Sequence, residues 1–230
     1  MSERGPLMRQ NFEEELNDLH VHFSEMGMMV NEAIYKSVKA FINHDKDLAH
    51  AVIENDNFIN NREAELESKC FELIALQQPV TSDLRKIITV MKASADLERM
   101  GDHAVSISKS TIRVKGNKRV PEIEAEIADL AEKVKESVES VLEAYLKYDV
   151  EKAEEIALND REIDKAAHTI TGKAIEDMKR NSELVIGATD YILVASYLER
   201  IGDYVTNICE WIVYHETGKV VELNTKNKDI

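Results

Sequence analysis

The sequence has little of what stops or cross-links a helical chain. Three prolines and eight glycines in 230 residues leave few points where a helix must end. Aromatic residues make up only 6%, while Ala, Glu, Lys, Leu, Ile and Val are plentiful, a balance that favours long amphipathic helices over sheets. Two cysteines, Cys70 and Cys209, lie at unrelated positions in apolar helical contexts. They read as free core thiols in a reducing compartment, not as a disulfide framework. No uncharged run approaches the roughly 20 apolar residues of a spanning helix, so no membrane span is expected. Residues Met1 to Gln10 mix charges with Gly-Pro and do not resemble a signal peptide. Positive charge is also in deficit. The net charge of −15 argues against a nucleic-acid binder and fits a cation or a basic protein surface as partner. No glycine-rich phosphate loop, nucleophile elbow or Cys/His zinc spacing is present. The expectation is a soluble cytoplasmic chain that is not an enzyme.

Apolar periodicity then divides the chain. Leu16, Leu19, Phe23, Met26, Val30, Ile34, Val38 and Phe41 recur at spacings of three and four, which predicts a first helix from about Met8 to Asn43. Asp45 is a candidate N-cap for a second helix, from about Lys46 to Gln77, with apolar positions at Val52, Ile59, Leu66, Phe71, Leu73 and Leu76. Pro79 ends it, and Thr81-Ser82-Asp83 offers caps for a third helix from Leu84 to about Val114. Residues 115–121 (Lys-Gly-Asn-Lys-Arg-Val-Pro) form the one clear linker. A fourth helix is expected to about Tyr148 and a fifth, after a turn at Asp149, to about Arg180. A break at Asn181-Ser182 precedes a sixth, to about Thr217, and residues 219–230 are expected to form a flexible tail.

The two halves repeat. Leu97-Glu98-Arg99-Met100-Gly101-Asp102 recurs 101 positions later as Leu198-Glu199-Arg200-Ile201-Gly202-Asp203. Phe41 to Asp45 matches Tyr145 to Asp149, and Asn55-Asp56 matches Asn159-Asp160, at an offset of 104. The three-residue difference falls in the hairpin at Gln77-Gln78-Pro79, where a structural repeat tolerates an indel. The fold expected is all-α: two tandem, pseudo-symmetric three-helix bundles of six long helices, joined end to end. The repeats span residues 1–114 and 122–218.

Glu98 and Asp102 share one helix face, off the stripe of Leu97, Met100, Ala104 and Ile107. Glu199 and Asp203 are displaced in the same way from Leu198, Ile201, Val205 and Ile208. They are expected to look outward or along a seam. The middle helices offer Asp56 with Asn60 and Asp160 with Asp164, again four apart. Clustered carboxylates without thiols suit hard or intermediate cations such as Mg²⁺, Mn²⁺, Ca²⁺ or iron. The candidate metal ligands are therefore Glu98, Asp102, Glu199, Asp203, Asp56, Asp160 and Asp164; the alternative is a solvated face in an acid-rich chain. Arg99 and Arg200 read as salt-bridge partners of these acids. Gly101 and Gly202 have no helix-propensity rationale and imply close packing by another helix. His103 is rotated off the acidic face, and His20 and His22 read as surface positions. Leu84, Ile88, Met91 and Ala95 give the early third helix a second apolar side that could meet a neighbouring bundle or a second subunit.

These motifs, over roughly residues 10 to 218, resemble the PhoU family. The resemblance rests on Gln78-Pro79-Val80-Thr81-Ser82-Asp83-Leu84-Arg85, on the two Leu-Glu-Arg-x-Gly-Asp copies, and on Asp56 and Asp160. It implies an all-helical, homodimeric protein that binds metal ions at these motifs, with Mg, Mn, Ca, Fe and Zn all open. It also implies an adaptor between the ATPase subunit of the phosphate ABC transporter and the phosphate-sensing histidine kinase. Such an adaptor restrains uptake and represses the starvation response, lying at the inner face of the membrane through its partners. The best alternative is a metal-dependent phosphohydrolase using the paired carboxylates. Tyr204 stands where the first half has His103, and Asn60 where the second has Asp164, so the halves need not bind metal equally.

Overall fold

In the computed structural model, residues 4–114 and 116–224 are described; Lys115 of the linker and 225–230 of the tail lie outside them. Six long helices follow one another: α1 (Arg4–Asn43), α2 (Lys46–Gln77), α3 (Thr81–Val114), α4 (Pro121–Lys147), α5 (Val150–Arg180) and α6 (Val185–Thr217). No strand occurs among the described residues. The α1–α2 and α4–α5 turns are built alike. His44 (φ 53°) and Tyr148 (φ 50°) adopt the left-handed conformation that ends each first helix. The next residue in each case, Asp45 or Asp149, caps the following helix by accepting from Leu48 N or Lys152 N, both at 3.0 Å.

Besides α1, which starts at Arg4 and not near Met8, two helix starts differ from the sequence expectation. The Leu84 N–H donates to the Val80 carbonyl at 2.9 Å, so Thr81-Ser82-Asp83 forms the first turn of α3 and does not precede it. Asp83 is favourable there because it faces the positive end of the helix dipole. Pro121, placed in the linker by sequence, opens α4, where its missing N–H costs nothing. A 3₁₀ turn (Ser182–Leu184) with Asn181 accepting from Glu183 N at 3.0 Å fills the break before α6.

The α1 stripe from Leu16 to Phe41 is buried throughout. On α2, Val52, Ile59, Leu66 and Leu73 are buried, but Phe71 and Leu76 are 55% and 70% exposed. Those two fall outside the face that α2 turns to its neighbours. The expected thiols, Cys70 and Cys209, are buried and unpaired with each other. Burial pushes the Cys70 thiol up to about 12, so it packs as a small apolar group.

The bundles do not meet end to end. They lie side by side, with α3 along α6 and α1 along α4. The α3–α6 pair runs antiparallel: Asp96 accepts from Asn207 Nδ2 (3.2 Å) and Trp211 Nε1 (2.9 Å), His103 stacks on Tyr197 at 5.6 Å, and Arg113 pairs with the buried Asp190. The α1–α4 pair is antiparallel too, through Asn31 Nδ2 to Glu139 Oε1 at 2.9 Å and through Leu142, whose side chain fills the space a Cβ on Gly27 would need. Lateral packing covers the α3 face that carries Asp96 and His103, which an end-on join would leave wet. Leu84, Ile88 and Met91 are half-buried, and Ala95 is exposed.

The repeat also places matched polar pairs at the two ends of the α1–α4 contact. His20 and Glu124 are equivalent positions, as are His44 and Tyr148. At one end the Tyr148 hydroxyl and His20 Nε2 are 2.9 Å apart, and Tyr148 stacks on His215 with centroids at 3.5 Å. Burial, then the neighbouring His215 and Lys86, lower the His20 pKa to about 4, so this histidine is a neutral, partly buried group and not the surface residue expected. His22 is exposed as expected. At the other end Glu124, 4% exposed, meets His44 Nε2 at 3.2 Å and accepts from Arg119 and from the Tyr191 hydroxyl at 2.9 Å. That cluster fastens the linker to the bundle. No described helix is long and apolar enough to cross a membrane.

Candidate metal centre

Each motif faces the middle helix of its own half, and its glycine sets how closely. A Cβ on Gly202 would stand 2.6 Å from Asp160 Oδ1 and 3.2 Å from Ile163 Cγ2. On Gly101 it would meet Ile59 at 3.3 Å and Asp56 Oδ1 at 3.5 Å. The glycines therefore let the middle-helix aspartates lie against the motif helices, as the sequence implied. The acids look along this seam, where most are half-buried and Asp203 is exposed.

In the second half, oxygens of Asp160, Asp164 and Asp203 lie within 4.8 Å of one another. Asp160 is 3% exposed, Asp164 half-buried and Asp203 exposed, so the group opens from the core to the surface. Their convergence follows from spacing: Asp160 and Asp164 share one face of α5, and Asp203 reaches it from α6 beside Gly202. Glu199, the remaining candidate of this half, is half-buried on α6 outside that triad.

The first half is looser; among the described residues it holds no equally tight set of three acids. Asp56 and Asn60 are half-buried, and Asn60 Nδ2 donates to Asp56 Oδ2 at 3.1 Å. Asp56 Oδ1 and Asn60 Oδ1 are buried without a hydrogen-bond partner. Burial raises the Asp56 carboxyl pKa, with Asp102 adding to it and the Asn60 hydrogen bond opposing it. Glu98 is likewise raised by burial and then by Asp102, with smaller contributions from Glu63 and Asp56. Arg99 spans the motif as expected of a salt-bridge partner, with Nη1 3.2 Å from Asp102 Oδ2 and Nε 3.5 Å from Glu98 Oε2. Both contacts are solvent-exposed and worth little. His103 turns away into the α3–α6 contact, stacked on Tyr197 and near Tyr204.

Sequence reasoning missed Glu63, whose pKa is raised by burial and then by Glu67. It follows Asp56 and Asn60 at the i, i+4, i+7 spacing of one α2 face, a signal that was available. The second half has Ala167 at the equivalent place. The grooves that the middle helices form with α1 and with α4 differ as well. The second, about 370 Å³, has Lys133 and Glu162 on its walls, ion-paired at 3.2 Å. The first, about 280 Å³, has Met29 and Phe58 at those positions, and Phe58 is 62% exposed.

The donor set fits a hard cation. It is oxygen only, it crowds carboxylates in half-buried positions, and it leaves buried acceptor atoms on Asp56 and Asn60 without a donor.

Comparison with known proteins agrees with the doubled architecture. The PhoU domain model matches the chain twice, over residues 23–111 and 127–212. A phosphate-specific transport system accessory protein PhoU homolog from Clostridium acetobutylicum is 38% identical over 219 residues, covering 95% of this chain and 100% of that protein. The crystal structure of the phosphate transport system regulatory protein PhoU from Streptococcus pneumoniae matches with a TM-score of 0.86 at 34% identity, covering 91% of this chain and 99% of the other. That of PhoU from Pseudomonas aeruginosa also gives 0.86, at 31% identity and over 90% and 100% of the two chains. A family model matching both halves, and relatives this similar over nearly their whole length, show that the chain belongs to the PhoU family.

Proposed function

We propose that the chain is a cytoplasmic regulator of phosphate uptake and of the phosphate-starvation response. It acts as a metal-binding adaptor between the ATPase subunit of the phosphate ABC transporter and a sensor histidine kinase, and restrains both when phosphate is plentiful. The observation that carries this reading is the doubled motif, each copy facing middle-helix acids across a close glycine contact, in a chain whose relatives are named as phosphate transport accessory proteins. The two repeats, residues 1–114 and 122–218, are the functional units, joined by the 115–121 linker and followed by the tail 219–230.

Glu98, Asp102 and Asp56 would hold a cation in the first repeat, and Asp160, Asp164 and Asp203, with Glu199 beside them, in the second. When bound, the cation supplies positive charge that neutralises these carboxylates on an acidic surface. The chain's own residues set the rest. Gly101 and Gly202 let the middle helices approach, Arg99 lies across Glu98 and Asp102, and the exposed Phe58 offers an apolar contact beside Asp56. Binding and orientation suffice for the role; no covalent step is needed. The working form is a homodimer, which light scattering would read as the mass of two chains and would exclude by reading the mass of one.

A pull-down with the full chain from phosphate-replete cells tests the adaptor role. The transporter ATPase and a sensor kinase are expected in the wild-type eluate, and less of both with Glu98→Ala/Asp102→Ala. Recovery of neither by the wild type would contradict the reading.

A further inference from the structure

The chain does not run free after α6. Gly218 (φ 72°) turns it, donating its N–H to the Tyr214 carbonyl at 2.8 Å, and the next residues double back. The Leu223 N–H donates to Glu210 Oε1 at 3.0 Å, and the Leu223 side chain packs on the core. Asn224 Nδ2 then donates to Asp160 Oδ2 at 2.6 Å. The returning segment thus reaches the most buried carboxylate of the second acidic site.

Among the described residues no returning segment reaches the first site, where the amide on Asp56 comes from Asn60 of the same helix. Its helix α3 leads instead into the linker, where Arg119 pairs with Glu124 at the far end of the bundle. The first site has Glu63 where the second has Ala167, and the second has Asn224 from the tail. An amide N–H₂ group on a buried carboxylate presents the positive end of a dipole to it. That is the same electrostatic role a cation would fill, on the same oxygen.

We propose that residues 219–224 are a strap on the second site, with Asn224 a specificity-determining residue that competes with the cation for Asp160. At the first site the amide on Asp56 is that of Asn60, one turn along the same helix, whereas the second loads only as the strap lifts. Metal occupancy of the second repeat is then coupled to exposure of the segment that follows α6. The proposal rests on the metal-binding reading above.

The test uses full-length chains in the Glu98→Ala/Asp102→Ala background, so that Mn²⁺ added alone reports the second site. Hydrogen exchange at the Leu223 amide is followed with and without Mn²⁺, and Mn²⁺ affinity is compared with and without Asn224→Ala. Mn²⁺ is expected to speed exchange at Leu223. Asn224→Ala is expected to tighten Mn²⁺ binding about tenfold, the equivalent of losing one hydrogen bond to a charged group. Exchange at Leu223 that is unchanged or slowed by Mn²⁺ would overturn the strap, as would binding by Asn224→Ala that is no tighter. Absence of Mn²⁺ binding from all of these chains would instead overturn the metal reading, and the strap with it.

Discussion

Glu124→Ala is expected to cost about 3 kcal/mol of stability, the low end of what removing one partner of a buried ion pair costs. Glu124 is 4% exposed and accepts from Arg119 Nε at 3.0 Å and from the Tyr191 hydroxyl at 2.9 Å, with His44 Nε2 at 3.2 Å. Arg119 in turn donates to the Ile42 carbonyl at 2.6 Å, and the Tyr191 hydroxyl accepts from Val120 N at 3.0 Å. One carboxylate therefore ties the linker to the end of α1 and to α6. The low end applies because Arg119 is half exposed and regains water when released. Acid should reveal the same pair. Burial pulls the Glu124 carboxyl upward, but the hydrogen bonds from Arg119, Tyr191 and His44 together outweigh it and hold the pKa below the usual value. A depressed carboxylate contributes its stability above the unfolded pKa, about 4.3, and loses it as pH falls through the folded value. Urea unfolding of wild type and variant should thus show a gap that is full at neutral pH and narrows below about pH 4. A loss under about 1 kcal/mol, or a gap indifferent to acid, would contradict this account of the linker.

Gly202→Ala and Gly101→Ala should differ although they occupy equivalent places. In an open helix each would gain about 1 kcal/mol from the better propensity of alanine. At Gly202 the new Cβ would fall 2.6 Å from Asp160 Oδ1, on a side chain both buried and held by Asn224. Overpacking of that kind costs about 1–3 kcal/mol, and here it also displaces a candidate ligand. At Gly101 the nearest atoms belong to Ile59 at 3.3 Å, and a small rotation of that side chain makes room. Gly202→Ala is therefore expected to lose about 2 kcal/mol and to weaken cation binding in the second repeat, while Gly101→Ala stays close to wild type. Equal effects at the two positions would mean that Gly202 is packed no more tightly against Asp160 than Gly101 is against Ile59.

What the sequence made legible was local. The turns at His44-Asp45 and Tyr148-Asp149 carry their own caps, so the bounds of α2 and α5 follow from single residues. The acidic pairs and their middle-helix companions follow from the four-residue spacing together with the repeat. Side-by-side packing was not legible, because it depends on which faces of α3 and α6 meet. The pairs that record it, Asp96 with Trp211 and Arg113 with Asp190, are 115 and 77 residues apart. His20 looked like a surface position because its cover, Tyr148 and His215, comes from α4 and α6. Asn224 gave no signal at all: a single amide in a polar tail acquires meaning only when Gly218 folds it back onto Asp160.

The central claim is that two related cation sites exist, one per repeat. Metal analysis of purified full-length chain tests it most directly, with Glu98→Ala/Asp102→Ala, Asp160→Ala/Asp203→Ala and the combination of all four. Each double variant is expected to lose one site's share of the metal and the quadruple variant all of it. Equal metal content in wild type and all three variants would contradict the assignment.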